Sequence, residues 1–404
     1  MIERILFNVF ALGLFLFLFF RMIQKNDTNY IYVLVLQALG ITIGFIALII
    51  EVELNILLLI LTYVFSVILP IIIILIERKG ITLTEAIYIS LSKLYFTIGN
   101  EEKSKKILLQ LVEKNPNSYY GHKLLAEKYE KEGQLQTAIE EYIRAINIRP
   151  QDDNINYKIA DLFHKTGNSN ESVKILNELL KKRPDWENAT FLLGDILYEQ
   201  EKFKEAVSVY LDALQYHPEN YDLYYNLGMI YTRLNDFQSA KEYYEKAAEL
   251  NSLLYRAKYS LGQIALLYNE LEEAEQYFLE CVQDEELEED AYYYLAYIAM
   301  LKGDEEKAVQ YLNAAVDENP EIYETIRKEL IFRIIFNKVE KPTKKIKVEE
   351  NKKRPKVSKK DKETMLHLKR TFELVGNLNH NDIKVMRIIK TKRQEEQEKD
   401  KERE

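Results

Sequence analysis

The sequence has one cysteine, Cys281, in 404 residues. A single cysteine excludes an internal disulfide framework and a zinc site built from cysteine pairs. Histidine is scarce too, and the five histidines are scattered without the spacing of metal ligands. The sequence has no phosphate-binding Gly-Lys-Ser/Thr loop, no Gly-rich strand–turn–helix fingerprint and no His-Glu-x-x-His pair. We therefore expect no metal, no cofactor and no catalytic site.

Glycine and proline are also few, 13 and 8 in the chain, and more than half of each fall at fixed places of a repeating pattern. The pattern has a period of 34 residues and runs seven times through residues 85–322. Its segments begin at Glu85, Tyr119, Asp153, Glu187, Tyr221, Tyr255 and Glu289. Five segments have proline at the thirty-second place, where it ends a helix and turns the chain.

Small residues recur at the eighth and twentieth places of every segment, and an apolar residue fills the seventh. Two helices cross closely only where neither side chain is large, so these places mark contacts between paired helices. The fifteenth place holds glycine in four segments: Gly99, Gly133, Gly167 and Gly303. Glycine readily adopts a left-handed backbone, which suits a turn between two helices. The sequence therefore predicts seven helix pairs.

This period and this pattern of small, aromatic and proline residues resemble the tetratricopeptide repeat family. The resemblance covers 238 of the 404 residues and implies an all-α fold, in which about seven repeats stack into an α-solenoid. It also implies that the first helices of the pairs line a concave groove, and that the protein binds other proteins and is not an enzyme. Frequent Ile, Lys, Glu, Asn and Tyr are typical of a bacterial protein from an AT-rich genome.

The resemblance assigns particular residues to that groove. Aromatic residues at the fifth place of successive segments form a ladder, with acidic and basic residues around it. Tyr and Phe suit a binding surface because each offers a large contact area with few rotatable bonds. The predicted protein-binding groove consists of Lys123, Glu127, Tyr157, Asp161, Phe191, Asp195, Tyr225, Tyr259 and Tyr293. We expect its partner to be a peptide or helical segment with basic and apolar residues.

Three long apolar runs, at residues 5–23, 30–50 and 54–76, precede the repeats. A helix of about 20 apolar residues crosses the hydrocarbon core of a bilayer. The runs therefore predict a membrane anchor at residues 1–80 with three transmembrane helices. A signal peptide is the alternative interpretation of the first run, but no small-x-small cleavage site follows it.

Basic residues in the short loops predict the orientation of this anchor. Arg21 and Lys25 follow the first run, and Arg78 and Lys79 follow the third, whereas the loop between the second and third runs has no basic residue. Basic loops stay on the cytoplasmic side of a membrane. We therefore expect a multi-pass protein of the cytoplasmic membrane, with its repeats in the cytoplasm.

The C-terminal part differs in charge from the repeats. Residues 85–322 carry 25 basic and 44 acidic side chains, whereas residues 323–404 carry 25 basic and 15 acidic ones. We predict a capping helix at residues 323–336, a disordered basic linker at 337–362, and short amphipathic helices with a charged tail at 363–404. The basic segment is either a solvated linker, a contact for anionic lipid, a ligand of the acidic groove or, least expected, a nucleic-acid contact.

These features favour a membrane-anchored scaffold that recruits proteins through its groove. One alternative is a regulatory subunit of an envelope-assembly or secretion machine that acts through its membrane spans. Another is a protein that binds lipid or nucleic acid through its basic tail. The sequence names neither a partner nor an oligomeric state.

Overall fold

The structure is a computed structural model that describes residues 2–25, 27–78, 80–342 and Thr364. These residues form helices and no strand, as the sequence predicts for an all-α protein. The chain divides into two compact units, Met1–Ile175 and Leu176–Glu404. The first unit contains the N-terminal apolar helices and most of the first three repeats, and the second contains repeats four to seven.

The three apolar runs form three helices, α1 (Ile2–Lys25), α2 (Tyr30–Ile49) and α3 (Ile56–Arg78). Each is long and apolar enough to cross a membrane, with mean hydropathies of 2.2, 2.3 and 3.0. Their bounds lie within a few residues of the predicted runs. All three predicted helices are therefore present, and the polar residues at their ends define where each one stops.

A polar contact joins α1, α2 and α3 at Pro70. Because proline lacks an N–H, the carbonyl four residues before it, that of Ser66, has no helical donor. Residues Val64–Ile68 are π-helical, and the buried side chain of Gln37 donates to the Ser66 carbonyl at 3.1 Å. The same Nε2 donates to the carbonyl of Ala11 at 3.3 Å. One amide thus pairs backbone carbonyls of two neighbouring helices.

Two glycines of α2 let its neighbours approach closely. A Cβ at Gly40 would lie 2.5 Å from Ser66 Oγ on α3, and one at Gly44 would lie 2.7 Å from Asn8 Oδ1 on α1. Both distances are shorter than real Cβ contacts, so alanine at either position would force the Ser66 or the Asn8 side chain to shift. The two glycines pack within one chain, against different helices.

One buried carboxylate, that of Glu77, joins the ends of these helices that lie away from Gly44. The Glu77 carboxylate near the end of α3 lies 3.3 Å from Arg21 Nε and 3.0 Å from Lys25 Nζ, both at the end of α1. The Tyr30 hydroxyl at the start of α2 donates to the same carboxylate. A buried carboxylate is tolerated only with such partners. The ends of α1 and α3 and the start of α2 therefore lie on one side of the bundle.

The repeats follow as seven helix pairs, which confirms the predicted solenoid of tetratricopeptide type. The first helices are Leu83–Thr97, Tyr119–Lys131, Asp153–Lys165, Glu187–Glu199, Tyr221–Arg233, Tyr255–Leu267 and Glu288–Lys302. The second helices are Glu101–Lys114, Leu135–Ile148, Ser169–Lys182, Phe203–Leu214, Phe237–Leu250, Leu271–Cys281 and Glu305–Glu318. All four predicted turn glycines have positive φ, and Glu201, Asn235 and Asn269 adopt the same conformation at that place in repeats four to six.

Within a repeat, the residue at the eighth place is matched in size to the residue at the twenty-fourth. Repeats four, five and six combine glycine with an aromatic ring, and a Cβ at Gly228 would lie 2.7 Å from the Tyr244 ring. In repeat seven Ala296 accompanies the smaller Leu312, and both are fully buried. Repeat two is an exception, because it combines alanine with a buried tyrosine. Glycine thus makes room for an aromatic core in the middle repeats.

Repeat two contains a buried charged pair. Nδ1 of His122 lies 2.6 Å from the Glu141 carboxylate, and Nε2 lies 2.9 Å from the carbonyl oxygen of Pro116. Both partners are acceptors, so both ring nitrogens donate and the imidazole is protonated. The hydrogen bond to Glu141 is the main cause that raises the pKa of His122, against the opposing effect of burial.

The cap of the last repeat is shorter and less regular than the predicted helix at residues 323–336. Helix Ile322–Lys328 ends because the backbone at Glu329 is extended (φ −72°, ψ 124°), and two 3₁₀ turns follow. This break lets Phe332 and Val339 pack into the core of repeat seven. The described residues thus reach into the predicted linker at 337–362. Apart from Thr364, residues 343–404 lie outside the described residues, and so do the short helices predicted there.

Candidate protein-binding surface

In the first unit, the predicted groove residues lie at the surface. Glu127 is exposed, and Lys123, Tyr157 and Asp161 are half-buried on the first helices of repeats two and three. Asp161 forms an ion pair with Lys165 at 2.7 Å. Partial burial and then the Asp161 carboxylate raise the pKa of Tyr157, so its hydroxyl stays neutral and can donate. This face offers both charges and an aromatic ring to a ligand.

In the second unit, the five predicted residues divide into two groups. Phe191 and Asp195 of repeat four are half-buried, whereas Tyr225, Tyr259 and Tyr293 are only 3%, 3% and 6% exposed. The three tyrosines therefore stabilise the repeats, and truncating them would test folding before it tested binding. The aromatic ladder predicted from the fifth place is a solvent-facing surface only in part.

The buried tyrosines pack on aromatic rings of the following elements. The Tyr225 ring lies 5.6 Å from that of Tyr244, and the Tyr259 ring lies 5.6 Å from that of Phe278. These partners are the aromatic residues for which glycine at the eighth place makes room. In repeats five and six this burial accompanies glycine at the eighth place and an aromatic residue at the twenty-fourth, but repeat four has the same combination and leaves Phe191 half-buried.

The net negative charge of the repeats comes from repeats four to seven. Residues 85–186, which make up repeats one to three, carry 16 basic and 15 acidic side chains. Residues 187–322, which make up repeats four to seven, carry 9 basic and 29 acidic ones. A sum over the whole array conceals this difference. The two units therefore offer partners different surfaces, one nearly neutral and one strongly acidic.

A residue from the C-terminal segment lies on repeat four. The hydroxyls of Tyr198 and Thr364 are 2.7 Å apart, and either can donate. Tyr198 occupies the twelfth place of its repeat, on the first helix Glu187–Glu199, and the family resemblance assigns the first helices to the groove. Tyr198 is 3% exposed and Thr364 is 1% exposed. Sequence reasoning gave docking on the acidic groove as one role of the basic tail, but it identified neither residue.

Two further features concern metal ligands and the single thiol. In the part of the chain that the structure describes, no group of three or more His, Cys, Asp or Glu side chains is arranged to hold a metal ion. Cys281 is buried, and burial raises the pKa of its thiol, so the reactive thiolate is disfavoured.

Comparison with known families gives consistent matches along the repeats. Models described as "Tetratricopeptide repeat" match residues 157–221, 191–252 and 225–286, and residues 85–118 and 289–322. A model described as "TPR repeat" matches residues 126–167. Together the matches cover more than half of the chain. No curated protein matches the chain.

Solved structures with a similar fold include three bacterial or repeat proteins. The C-terminal part of a TPR repeat-containing protein from Cytophaga hutchinsonii is 15% identical, with a TM-score of 0.51, over 57% of this chain and 95% of that one. PilF of Pseudomonas aeruginosa is 19% identical (TM-score 0.43; 55% and 97% covered). YrrB, a TPR protein with an unusual peptide-binding site, is 23% identical (TM-score 0.40; 48% and 97% covered). At these identities the likeness concerns the fold alone.

Proposed function

Because this chain belongs to the tetratricopeptide repeat family, we propose that it is a membrane-anchored scaffold that recruits proteins through the concave faces of its repeats. The observation that carries the proposal is the direct connection of three long apolar helices to seven repeats of a family that binds proteins. The ligand expected from the groove chemistry is a peptide or helical segment with basic and apolar residues.

The outer surface of α1–α3 supports the membrane anchor. Large apolar side chains such as Phe20, Ile49 and Ile56 are exposed, and most of each helix is not buried by the rest of the protein. Soluble proteins rarely expose apolar patches larger than a few hundred Å². A hydrocarbon environment removes this conflict, whereas water does not.

The Glu77 cluster supports the proposed topology. Arg21, Lys25 and Arg78 lie at the same side of the bundle because Glu77 contacts the first two and precedes the third. Basic residues of short loops are retained in the cytoplasm, and the first repeat begins only a few residues after Arg78. We therefore propose that the repeats lie in the cytoplasm, next to the membrane.

The experiment is affinity capture of the full-length protein from cross-linked native membranes. The groove variant combines Glu127→Lys with Asp161→Lys on the surface of repeats two and three. Its matched control combines Glu113→Lys with Glu140→Lys, two exposed residues of second helices, so that the change in charge is equal. We expect a near-stoichiometric partner that the control retains and the groove variant loses. Retention by both variants would refute recruitment through this face.

A second variant tests the alternative of a regulatory subunit that acts through its spans. In it, α1–α3 are replaced by an unrelated three-helix anchor. If the partner and the cellular phenotype survive the replacement, the spans serve only as an anchor. Protease protection in inside-out and right-side-out vesicles tests the topology, because the repeats should be cleaved only in inside-out vesicles.

A further inference from the structure

We propose that the basic C-terminal segment around Thr364 docks on the concave face of repeats four to seven, the acidic part of its own chain's repeat array, so that a partner of this face must displace it. The docking stands on the contacts below, and only the displacement step rests on the proposed function. The occupant is a segment of the same chain, and a second copy or an external peptide is an outcome that the experiment distinguishes.

The first observation is the contact itself. Thr364 and Tyr198 share a hydrogen bond of 2.7 Å and are almost fully buried. Thr364 follows the last ordered repeat by more than forty residues, so it does not belong to the repeat array. Its hydrogen bond with Tyr198 therefore brings a residue of the C-terminal segment onto repeat four.

The second observation is the burial of that concave face. At the ninth and twelfth places of the first helices, repeats two and three have no buried residue. The corresponding residues of repeats five and six are all buried: Met229, Thr232, Gln263 and Leu266. Gln263 is 2% exposed, and its Oε1 has no hydrogen-bond partner among the described residues. A buried acceptor without a partner suits a ligand that brings donors.

The third observation is charge complementarity. Repeats four to seven carry 29 acidic and 9 basic side chains, whereas Lys352–Arg370, the stretch that contains Thr364, carries 9 basic and 2 acidic ones. Met365, Leu368 and Phe372 follow at spacings of three and four residues, which is typical of one apolar helix face. The segment therefore has the basic and apolar character that the groove is expected to bind.

The consequence is competition within one molecule. A tethered segment acts at an effective concentration of the order of mM, so a free ligand of the same class binds this face weakly until the segment leaves. Because the attraction is largely electrostatic, salt weakens it. The face of repeats two and three has no such occupant among the described residues.

The first test measures the contact in the full-length protein in detergent micelles. Variant Y198C/T364C should form an intramolecular disulfide at least tenfold faster than the control Y216C/T364C, in which the exposed Tyr216 of repeat four replaces Tyr198 as the partner. The native Cys281 is buried and stays in both variants. Equal rates in the two variants would overturn the proposal. A disulfide between two molecules, seen as a dimer band, would overturn docking within one chain.

The second test measures displacement. Four substitutions, K356Q, K359Q, K360Q and K362Q, neutralise the segment next to Thr364. The control K392Q, R393Q, K399Q and K401Q removes the same charge near the C-terminus. A labelled synthetic peptide of residues 352–372 should bind the first variant about tenfold more tightly than the control or the unaltered protein, and 1 M salt should abolish the difference. Unchanged peptide affinity together with a fast Y198C/T364C disulfide would overturn the competition and leave capture by repeats two and three as a separate question.

Discussion

The pairing of glycine with an aromatic ring predicts a measurable coupling between Gly228 and Tyr244. In G228A, the new methyl group would lie 2.7 Å from two ring carbons, closer than van der Waals contact. Overpacking of this kind destabilises by about 1–3 kcal/mol. Alanine recovers about 1 kcal/mol because it favours a helix more than glycine does. The expected net loss is about 0–2 kcal/mol.

The second change, Y244L, removes the ring and leaves a gap beside Gly228, at a cost of about 1–3 kcal/mol. The double variant restores the combination of alanine and leucine that repeat seven already uses. It should therefore be more stable than the sum of the single effects predicts, by about 0.5–3 kcal/mol, which is the range measured for residues in contact. The prediction is that this coupling is stabilising.

Hydrogen exchange followed by mass spectrometry suits this measurement, because a repeat array opens locally and does not melt as one unit. Peptides from Tyr221–Arg233 and Phe237–Leu250 report on repeat five, and each 1.4 kcal/mol changes the exchange rate about tenfold. Exchange in repeat seven is the internal control. If G228A exchanges like the unaltered chain and the two changes are additive, the ring moves aside as in repeat two, and size matching does not explain the glycine.

Two further predictions concern buried polar groups. Because the folded pKa of His122 is raised, its pairing with Glu141 stabilises repeat two fully below the ordinary His pKa, and this stabilisation is lost as the pH rises through the raised value. Hydrogen exchange in repeat two should therefore accelerate from pH 6 to pH 9 after correction for intrinsic rates. H122Q should remove this extra acceleration, and an equal acceleration in H122Q would contradict the prediction. In the apolar bundle, Q37L leaves the Ser66 carbonyl without its side-chain donor, at a cost of about 1–3 kcal/mol. Denaturation of Q37L in micelles should then require less SDS than denaturation of the conservative Q37N. Equal denaturation midpoints for Q37L and the unaltered protein would exclude a role for this hydrogen bond.

Much of the fold follows from periodicity. A strict 34-residue period fixes the helix pairs, and a helix must begin near the same place of each segment, as Tyr119, Tyr221 and Tyr255 do. Long apolar runs predict α1–α3 for a different reason: a helix pairs its own backbone groups, which apolar surroundings require. Both patterns involve residues close together in the chain, so one sequence is enough to detect them.

The candidate surface was less accessible to this reasoning, because burial depends on neighbours that the period does not encode. Helical spacing assigns Tyr225 and Tyr259 to a face of the helix, but it does not say whether another side chain covers that face. The Glu77 cluster joins residues about fifty positions apart, and no local pattern predicts such a contact. The difference in net charge between repeats one to three and repeats four to seven can be counted from the sequence, and it is lost only when all seven repeats are summed.

The joint between the apolar bundle and the first repeat has a mechanical consequence. Thr84, in the first helix of repeat one, donates to the Asp27 carboxylate at 3.0 Å and accepts from the Asn29 side chain, and both partners lie between α1 and α2. Flexible tethers let a domain explore a volume that grows with linker length. Repeat one has no such freedom, because side chains clamp it within a few residues of α3. A ligand bound by the first repeat would therefore be held at a fixed distance and in a fixed direction from α1–α3.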